Sequence, residues 1–154
     1  MTKTTISELV ELLAKPTLRV RTGIWLYPMD LLGEEENEAV RLDVIARDAR
    51  DPLLAAIGPG SRFLGLNRSR LLQVLDEIVQ NERNGSVIMI YNFDLLLAKL
   101  PMDEREKAWL EIFYAFPHRA KGFFLPIPEK ATELHPSDDL LEDWRQSGRL
   151  AETF

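Results

Sequence analysis

The feature that most constrains this chain is an uninterrupted apolar run, Val87 to Ile90, inside the segment from Gly85 to Ala98. Because its apolar residues do not alternate with polar ones, the run predicts a strand that is buried on both faces. Such strands occupy the middle of parallel sheets that helices cover on both sides. Sheets of this kind carry their sites where the strands end. The residues to inspect first are therefore Tyr91 to Asp94.

Composition limits the class of protein. Of the 154 residues, 45% are hydrophobic and 29% are charged, which is ordinary for one globular domain. The absence of cysteine excludes a zinc-thiolate site and favours a reducing compartment. No apolar run has the length of a membrane span or of a signal peptide, so we expect a cytoplasmic protein with no membrane association. The net charge of −6 argues against general attraction to nucleic acid.

The pattern of helix and strand signals predicts one α/β domain over residues 1–154. Its fold class is a three-layer sandwich, with a mainly parallel central sheet of four to five strands and helices on both faces. The parts are an N-terminal helix within 1–16, a core over 20–130, and a C-terminal helix and tail over 137–154. Strands are predicted at 19–27, 62–66, 87–90 and 121–127, and helices at 5–13, 71–80, 101–116 and 137–145.

The segment 34–50 carries two conflicting signals. Three glutamates, 34–36, precede residues of good helix propensity and suit the positive end of a helix. Yet Val40, Leu42 and Val44 alternate with charged residues, as in a strand. We favour a helix, and for residues 38–47 the hairpin alternative stays open.

Residues 88–96, Ile-Met-Ile-Tyr-Asn-Phe-Asp-Leu-Leu, resemble the Walker B strand of AAA-type ATPases. In that family four apolar residues are followed by Asp, Glu, an apolar residue and Asp. Here Tyr91 stands in the place of the metal-binding aspartate and Asn92 in that of the water-activating glutamate, so only Asp94 matches an acid. The phosphate loop Gly-x-x-x-x-Gly-Lys-Ser/Thr is absent from the chain. The resemblance implies a P-loop-like fold without catalytic residues, cofactor or metal.

The length of the chain, its leucine-rich helix after Asn67 and the degenerate strand are also similar to the small P-loop component of BREX-type phage-defence systems. That resemblance covers roughly residues 20 to 130. It implies a non-catalytic accessory subunit of a bacterial defence complex, which acts by contact with larger protein subunits. It leaves the oligomeric state unknown.

Two other classes of function stay open on the residues alone. A nucleic-acid-binding accessory protein could use Arg62, Arg68 and Arg70, although no recognition helix or zinc motif accompanies them. A nucleotide-binding or hydrolytic enzyme with an atypical site would need the glycine-rich segment 58–62, which a plain turn explains better. The two histidines, His118 and His135, lie beside prolines without a nucleophile pattern.

Three aromatic residues are candidates for an exposed contact surface, because aromatics are enriched where partners dock. They are Trp25 and Tyr27 on the first strand and Trp144 on the last helix. The alternative is that they pack within the monomer. For Asp94 we predict a structural role, in which its carboxylate accepts backbone N–H bonds or pairs with Arg68 or Arg70.

Overall fold

The structure, a computed structural model, describes residues 3–56 and 66–152. Within these ranges the chain forms seven α-helices and five β-strands. The helices are α1 (Ile6–Ala14), α2 (Glu35–Leu42), α3 (Asp51–Ala56), α4 (Arg68–Asn81), α5 (Phe93–Leu97), α6 (Met102–Tyr114) and α7 (Asp138–Gln146). The strands are β1 (Thr22–Tyr27), β2 (Ile45–Asp48), β3 (Val87–Tyr91), β4 (Gly122–Pro128) and β5 (Leu150–Ala151). Single turns of 3-10 helix cover Met29–Leu31 and Thr132–Leu134.

The five strands form one parallel sheet in the order β2-β3-β4-β1-β5. Strand β4 lies in the middle, with Phe123 opposite Ile88 of β3 on one side and Leu125 opposite Ile24 of β1 on the other. The apolar run of β3 is buried at every position from Val87 to Ile90. This confirms the predicted α/β sandwich with a parallel central sheet.

Helices cover both faces of the sheet, because successive residues of a strand point to opposite sides. On one side α1 and α2 pack over Trp25, Met89 and Phe124. On the other side α4, α6 and α7 pack over Ile24 and the neighbouring strands. None of the helices in the described ranges is long and apolar enough to cross a membrane.

Helix starts follow the capping signals in the sequence. Thr5 and Glu8 form a capping box, in which each side chain bonds the backbone N–H of the other residue. The side chain of Asn67 accepts a bond from the third residue of α4, and that of Ser137 does the same for α7. Each such cap contributes about 1 kcal/mol of stability. The helices predicted at 5–13 and 137–145 therefore begin within one residue of the prediction, and α4 begins three residues before the predicted 71.

The ambiguous segment 34–50 holds both a helix and a strand. The favoured helix is present as α2, and it ends at Asp43, whose φ of 56° is left-handed. Strand β2 then begins at Ile45. Val40 and Leu42, whose alternation suggested a strand, lie in α2. The strand itself begins a few residues later in the sequence than that alternation.

Some predictions fall on residues 57–65, outside the described residues. These are the glycine-rich turn at 58–60 and the candidate contact residue Arg62, together with most of the strand predicted at 62–66. Leu66 is described and does not belong to a strand. Strand β5 was not predicted, since two residues carry no periodic pattern.

Two buried arginines join elements at the amino rim of the sheet, the row where the parallel strands begin. Arg21, 4% exposed, donates to the carbonyls of Leu13, Arg119 and Ala120. Arg149, 7% exposed, precedes β5. These contacts tie the end of α1 and the start of β4 to β1, and they involve main-chain acceptors.

Candidate functional site

The carboxyl rim is the opposite row, where the parallel strands end. Strand β1 ends at Tyr27, β2 at Asp48 and β3 at Tyr91, and Asn92 connects β3 to α5. The position that the sequence pointed to therefore lies at this rim. Asp48 joins it from β2, a strand that the sequence did not place.

Tyr91 stands where the Walker B resemblance has a metal-binding aspartate. Its hydroxyl donates a hydrogen bond to Oε1 of Glu36 on α2, at 3.0 Å. Burial, this bond and the charge of Glu36 raise the pKa of Tyr91 to about 12. The side chain is thus a neutral phenol near neutral pH, and it offers no carboxylate to a divalent cation.

Asn92 stands where the resemblance has a water-activating glutamate. Its backbone is left-handed (φ 64°), which asparagine tolerates better than most residues. Its Nδ2 donates to Oδ2 of Asp48 at 2.9 Å. The neutral amide cannot take a proton from water, so the residue acts here as a link between β3 and β2.

The carboxylate of Asp48 also accepts three hydrogen bonds from Arg50. Arg50 donates from its backbone N–H at 2.9 Å, from Nε at 3.1 Å and from Nη2 at 2.8 Å. Burial by itself raises the pKa of Asp48, but the hydrogen bonds from Arg50 and Asn92 outweigh it and lower the pKa. The carboxylate is therefore ionised and already occupied by donors within the protein.

Asp94 lies in the first turn of α5 and is partly buried. Burial raises its pKa, the backbone N–H groups of Asp94 and Leu95 oppose that shift, and the charge of Glu35 adds to it. These N–H groups lie near the carboxylate, and its predicted hydrogen bonds to the backbone stay a prediction. The predicted pairing with Arg68 or Arg70 is wrong, because those arginines bond to other acids.

The two arginines are engaged on the helical surface. Arg68 forms salt bridges with Glu104 at 3.0 Å and Glu111 at 3.3 Å on α6. Arg70 pairs with Glu77 of its own helix at 3.0 Å. Acidic partners thus offset both cations, which reduces what they could contribute to a phosphate-binding patch.

The segment after β1 is acidic. Its carboxylates, which extend into α2, belong to Asp30, Glu34, Glu35, Glu36 and Glu38. A phosphate loop would place backbone amides and a lysine here. No lysine occurs between Lys15 and Lys99. The arrangement therefore repels a polyphosphate where a P-loop would hold one.

The aromatic candidates for an exposed contact surface are buried, so that prediction is wrong. Trp25 is fully buried and packs edge-to-face on Tyr27, with ring centroids 4.7 Å apart. Trp144 is fully buried against Trp109 and Phe113. Helices α1 and α2 cover the face of β1 that the prediction left open, so packing within the monomer is what the structure shows.

Two buried side-chain polar atoms have no hydrogen-bond partner among the described residues: the hydroxyl of Tyr27 and Nε1 of Trp144. The Tyr27 hydroxyl lies at the carboxyl rim. Burial raises the pKa of Tyr27, and the carboxylates of Glu35 and Glu38 raise it further. The Tyr27 hydroxyl is thus a neutral donor beneath an acidic segment.

Sequence reasoning missed a set of exposed apolar side chains beside these acids. Met29, Leu32 and Leu95 are 46%, 45% and 46% exposed, and each follows the end of β1 or β3. The signal was available, since Met29-Asp-Leu-Leu between Pro28 and Gly33 is an apolar loop. Their exposure beside carboxylates gives the rim a mixed acidic and apolar character.

In residues 3–56 and 66–152, no group of three or more His, Asp or Glu side chains could hold a metal ion. Comparison of the chain with family models, with curated proteins and with solved structures finds no match.

Proposed function

We propose that this protein is a non-catalytic interaction subunit with a degenerate P-loop-like fold, which works by contact with larger protein partners. The observation that carries the proposal is the state of the carboxyl rim. Tyr91 and Asn92, in the places of the two Walker B acids, are bonded to Glu36 and Asp48. Both side chains are engaged within the protein, and neither of these two places supplies an acid for magnesium or for water activation.

Electrostatics support the same conclusion. Glu34, Glu35 and Glu36 open the helix that follows β1. A polyphosphate in that place would meet carboxylates, and like charges a few ångströms apart repel by about 1 kcal/mol or more at a protein surface. Binding of a nucleotide would require this repulsion to be overcome without the lysine that a P-loop supplies.

The carboxyl rim itself is the proposed contact surface. Met29, Leu32 and Leu95 expose apolar area, and the neighbouring acids supply negative charge. Interfaces combine buried apolar contacts with a polar rim, so this surface fits a partner segment that is both apolar and basic. The assignment to a bacterial anti-phage defence complex, BREX-like and cytoplasmic, rests on the sequence resemblance alone.

Nucleotide titration tests the non-catalytic part. We expect magnesium with ATP, ADP or GTP to leave the melting curve of the wild-type protein unmoved and to give no heat in calorimetry. A ligand at a hundred times its Kd would stabilise the fold by about 2.7 kcal/mol, which a melting curve resolves easily. Saturable binding that is lost in Asp94→Asn would overturn the proposal in favour of an atypical nucleotide site.

Co-purification from the native host tests the contact surface. The double variant Glu34→Lys with Leu95→Lys changes the carboxyl rim without touching the core. We expect it to lose partner proteins that wild type retains, while Glu11→Lys, an exposed change on α1, retains them. If the rim variant and the α1 variant behave alike, the carboxyl rim is not the contact surface.

A further inference from the structure

A cavity of about 290 Å³ opens at the amino rim, at the opposite end of the strands from the proposed contact surface. Its walls come from the segment before β1, the end of α6 and the residues before β5. The side chains that matter here are Leu18, Arg19, Val20, Phe113 and Arg149. The cavity is therefore apolar on several sides and has two arginines at its boundary.

Arg149 is the polar group built into this cavity. Its Nε donates to the carbonyl of Thr22 at 2.8 Å, and its Nη2 donates to Thr22 Oγ1 and to the carbonyl of Phe113 at 3.1 Å. These bonds fix the guanidinium plane. They leave Nη1 without an acceptor among the residues that the structure describes.

Among the described residues, the charge of Arg149 also has no counter-ion. No carboxylate of the described residues forms a salt bridge with it, and its Cζ lies 4.4 Å from the Phe113 ring centroid and 4.7 Å from that of Trp144. Burial lowers its pKa to about 10, so it stays protonated at neutral pH. Cations this deeply buried are almost always paired with an acid or another ligand.

We propose that the cavity binds a monocarboxylate attached to a small apolar group, with the carboxylate on Nη1 of Arg149. Val20 and Phe113 contact the apolar part, and Arg19 at the mouth adds a second positive charge. A phosphate dianion, with three acceptor oxygens, would need more donors than this cavity provides. The site is independent of the proposed contact surface and of any nucleotide.

Benzoate is the probe for the experiment, followed by NMR of the Arg149 Nε–Hε signal and of the backbone amides of the cavity residues. We expect saturable shifts at these positions. Arg149→Lys keeps the charge but loses the planar fork, so Kd should rise about tenfold. Arg19→Gln, an exposed change that leaves Arg149 in place, should raise Kd about threefold.

Arg41→Gln is the matched control, because it removes one exposed positive charge on α2, outside the lining of the cavity. We expect it to leave the benzoate Kd unchanged. The proposal fails if benzoate gives no saturable shift, if inorganic phosphate binds more tightly than benzoate, or if Arg41→Gln weakens binding as much as Arg19→Gln.

The natural carboxylate could come from a free acid or from the end of a polypeptide. Acetyl-alanyl-phenylalanine and its C-terminal amide separate the two sources. Tighter binding of the free peptide than of benzoate, lost in the amide, assigns the site to a chain terminus. Weaker binding of the peptide than of benzoate assigns it to a free small acid.

Discussion

The two rims of the sheet hold their charges in different ways. At the carboxyl rim, Tyr91 and Asn92 bond to carboxylates on the neighbouring elements, and these side chains are only partly buried. At the amino rim, Arg21 and Arg149 are buried and donate mainly to backbone carbonyls. One rim is a network of side chains, and the other is a pair of cations that anchor the main chain.

Because of this difference, the rim where a parallel sheet is expected to carry its site is not the rim that holds the proposed binding group, Arg149. Parallel sheets place their sites at the carboxyl ends of strands. Here Tyr91 and Asn92 bond to Glu36 and Asp48, and the buried Tyr27 hydroxyl has no partner among the described residues. Arg149, which lines a cavity and whose Nη1 has no acceptor among the described residues, lies at the opposite rim. Position in the fold is therefore a weaker guide to binding than the hydrogen bonds of each polar atom.

The largest effect is expected at the amino rim, from Arg21→Ala. Its guanidinium bonds the Leu13 carbonyl at 2.7 Å and those of Arg119 and Ala120, so removal leaves buried acceptors unpaired. Bonds to charged groups contribute about 1.5–3 kcal/mol each, and we expect a loss near 3 kcal/mol in urea denaturation. Arg41→Ala, which removes an exposed ion pair with Glu38 on α2, should cost less than about 0.5 kcal/mol.

Equal losses from Arg21→Ala and Arg41→Ala would mean that the buried arginine of the amino rim stabilises the fold no more than an exposed ion pair does. The Arg21→Lys variant sharpens it, because lysine keeps the charge but cannot reach several carbonyls at once. An intermediate loss for Arg21→Lys would show that the geometry of the fork, and not charge alone, stabilises this rim.

The sequence predicts the layers of the fold well, because burial leaves a local pattern. The run Val87 to Ile90, the capping residue Thr5 and the apolar stripe of α6 each identify their element from neighbouring residues alone. These features can be recognised in the sequence without knowledge of the strand order in the sheet. Where a pattern covers fewer than four residues, as in β5, the sequence gives no such signal.

The candidate site is harder to predict, because its bonds join residues that are distant in sequence. The bond from Asn92 to Asp48 spans 44 residues, and that from Tyr91 to Glu36 spans 55. Arg149 and Thr22 are 127 residues apart. Burial of Trp25 stays one of two alternatives at the sequence level for the same reason, since no local feature shows that α1 covers it.

A smaller loss is expected at the carboxyl rim, from Asp48→Asn. Its carboxylate accepts bonds from Arg50 and Asn92, and we expect a loss of about 2 kcal/mol at neutral pH. The pKa of Asp48 is lowered from its ordinary value of 3.8. Its stabilising contribution is therefore present above pH 3.8 and is lost as the pH falls through the lowered pKa.

Urea denaturation of wild type and Asp48→Asn across the acid range measures this dependence. The difference in unfolding free energy between the two proteins should shrink as the pH falls below 3.8. A difference that stays constant with pH would mean that the hydrogen bonds at Asp48 do not depend on its charge, and the carboxyl rim would then not be an ionic network.

The smallest effects are expected at Asp94, and their pH dependence has the opposite sign. Its pKa is raised above 3.8, chiefly by burial. The folded state then holds its proton more tightly than the unfolded state, so the contribution of Asp94 to stability falls as the pH rises from 3.8 through the raised pKa. Asp94→Asn removes this pH dependence. As the pH rises, its free energy of unfolding should therefore increase relative to that of wild type, by less than about 1 kcal/mol.

Asp94→Ala separates the hydrogen bonds of this side chain from its charge. Alanine removes the carboxylate beside the backbone N–H groups at the start of α5, so we expect it to lower the melting temperature, at a cost of about 1 kcal/mol. Asparagine keeps an acceptor oxygen and should not. We expect magnesium-ATP to leave the melting temperatures of wild type and of both variants unchanged. The opposite result would be an equal loss of stability in Asp94→Asn and Asp94→Ala, together with stabilisation by ATP of wild type alone. That result would make Asp94 a ligand-binding acid.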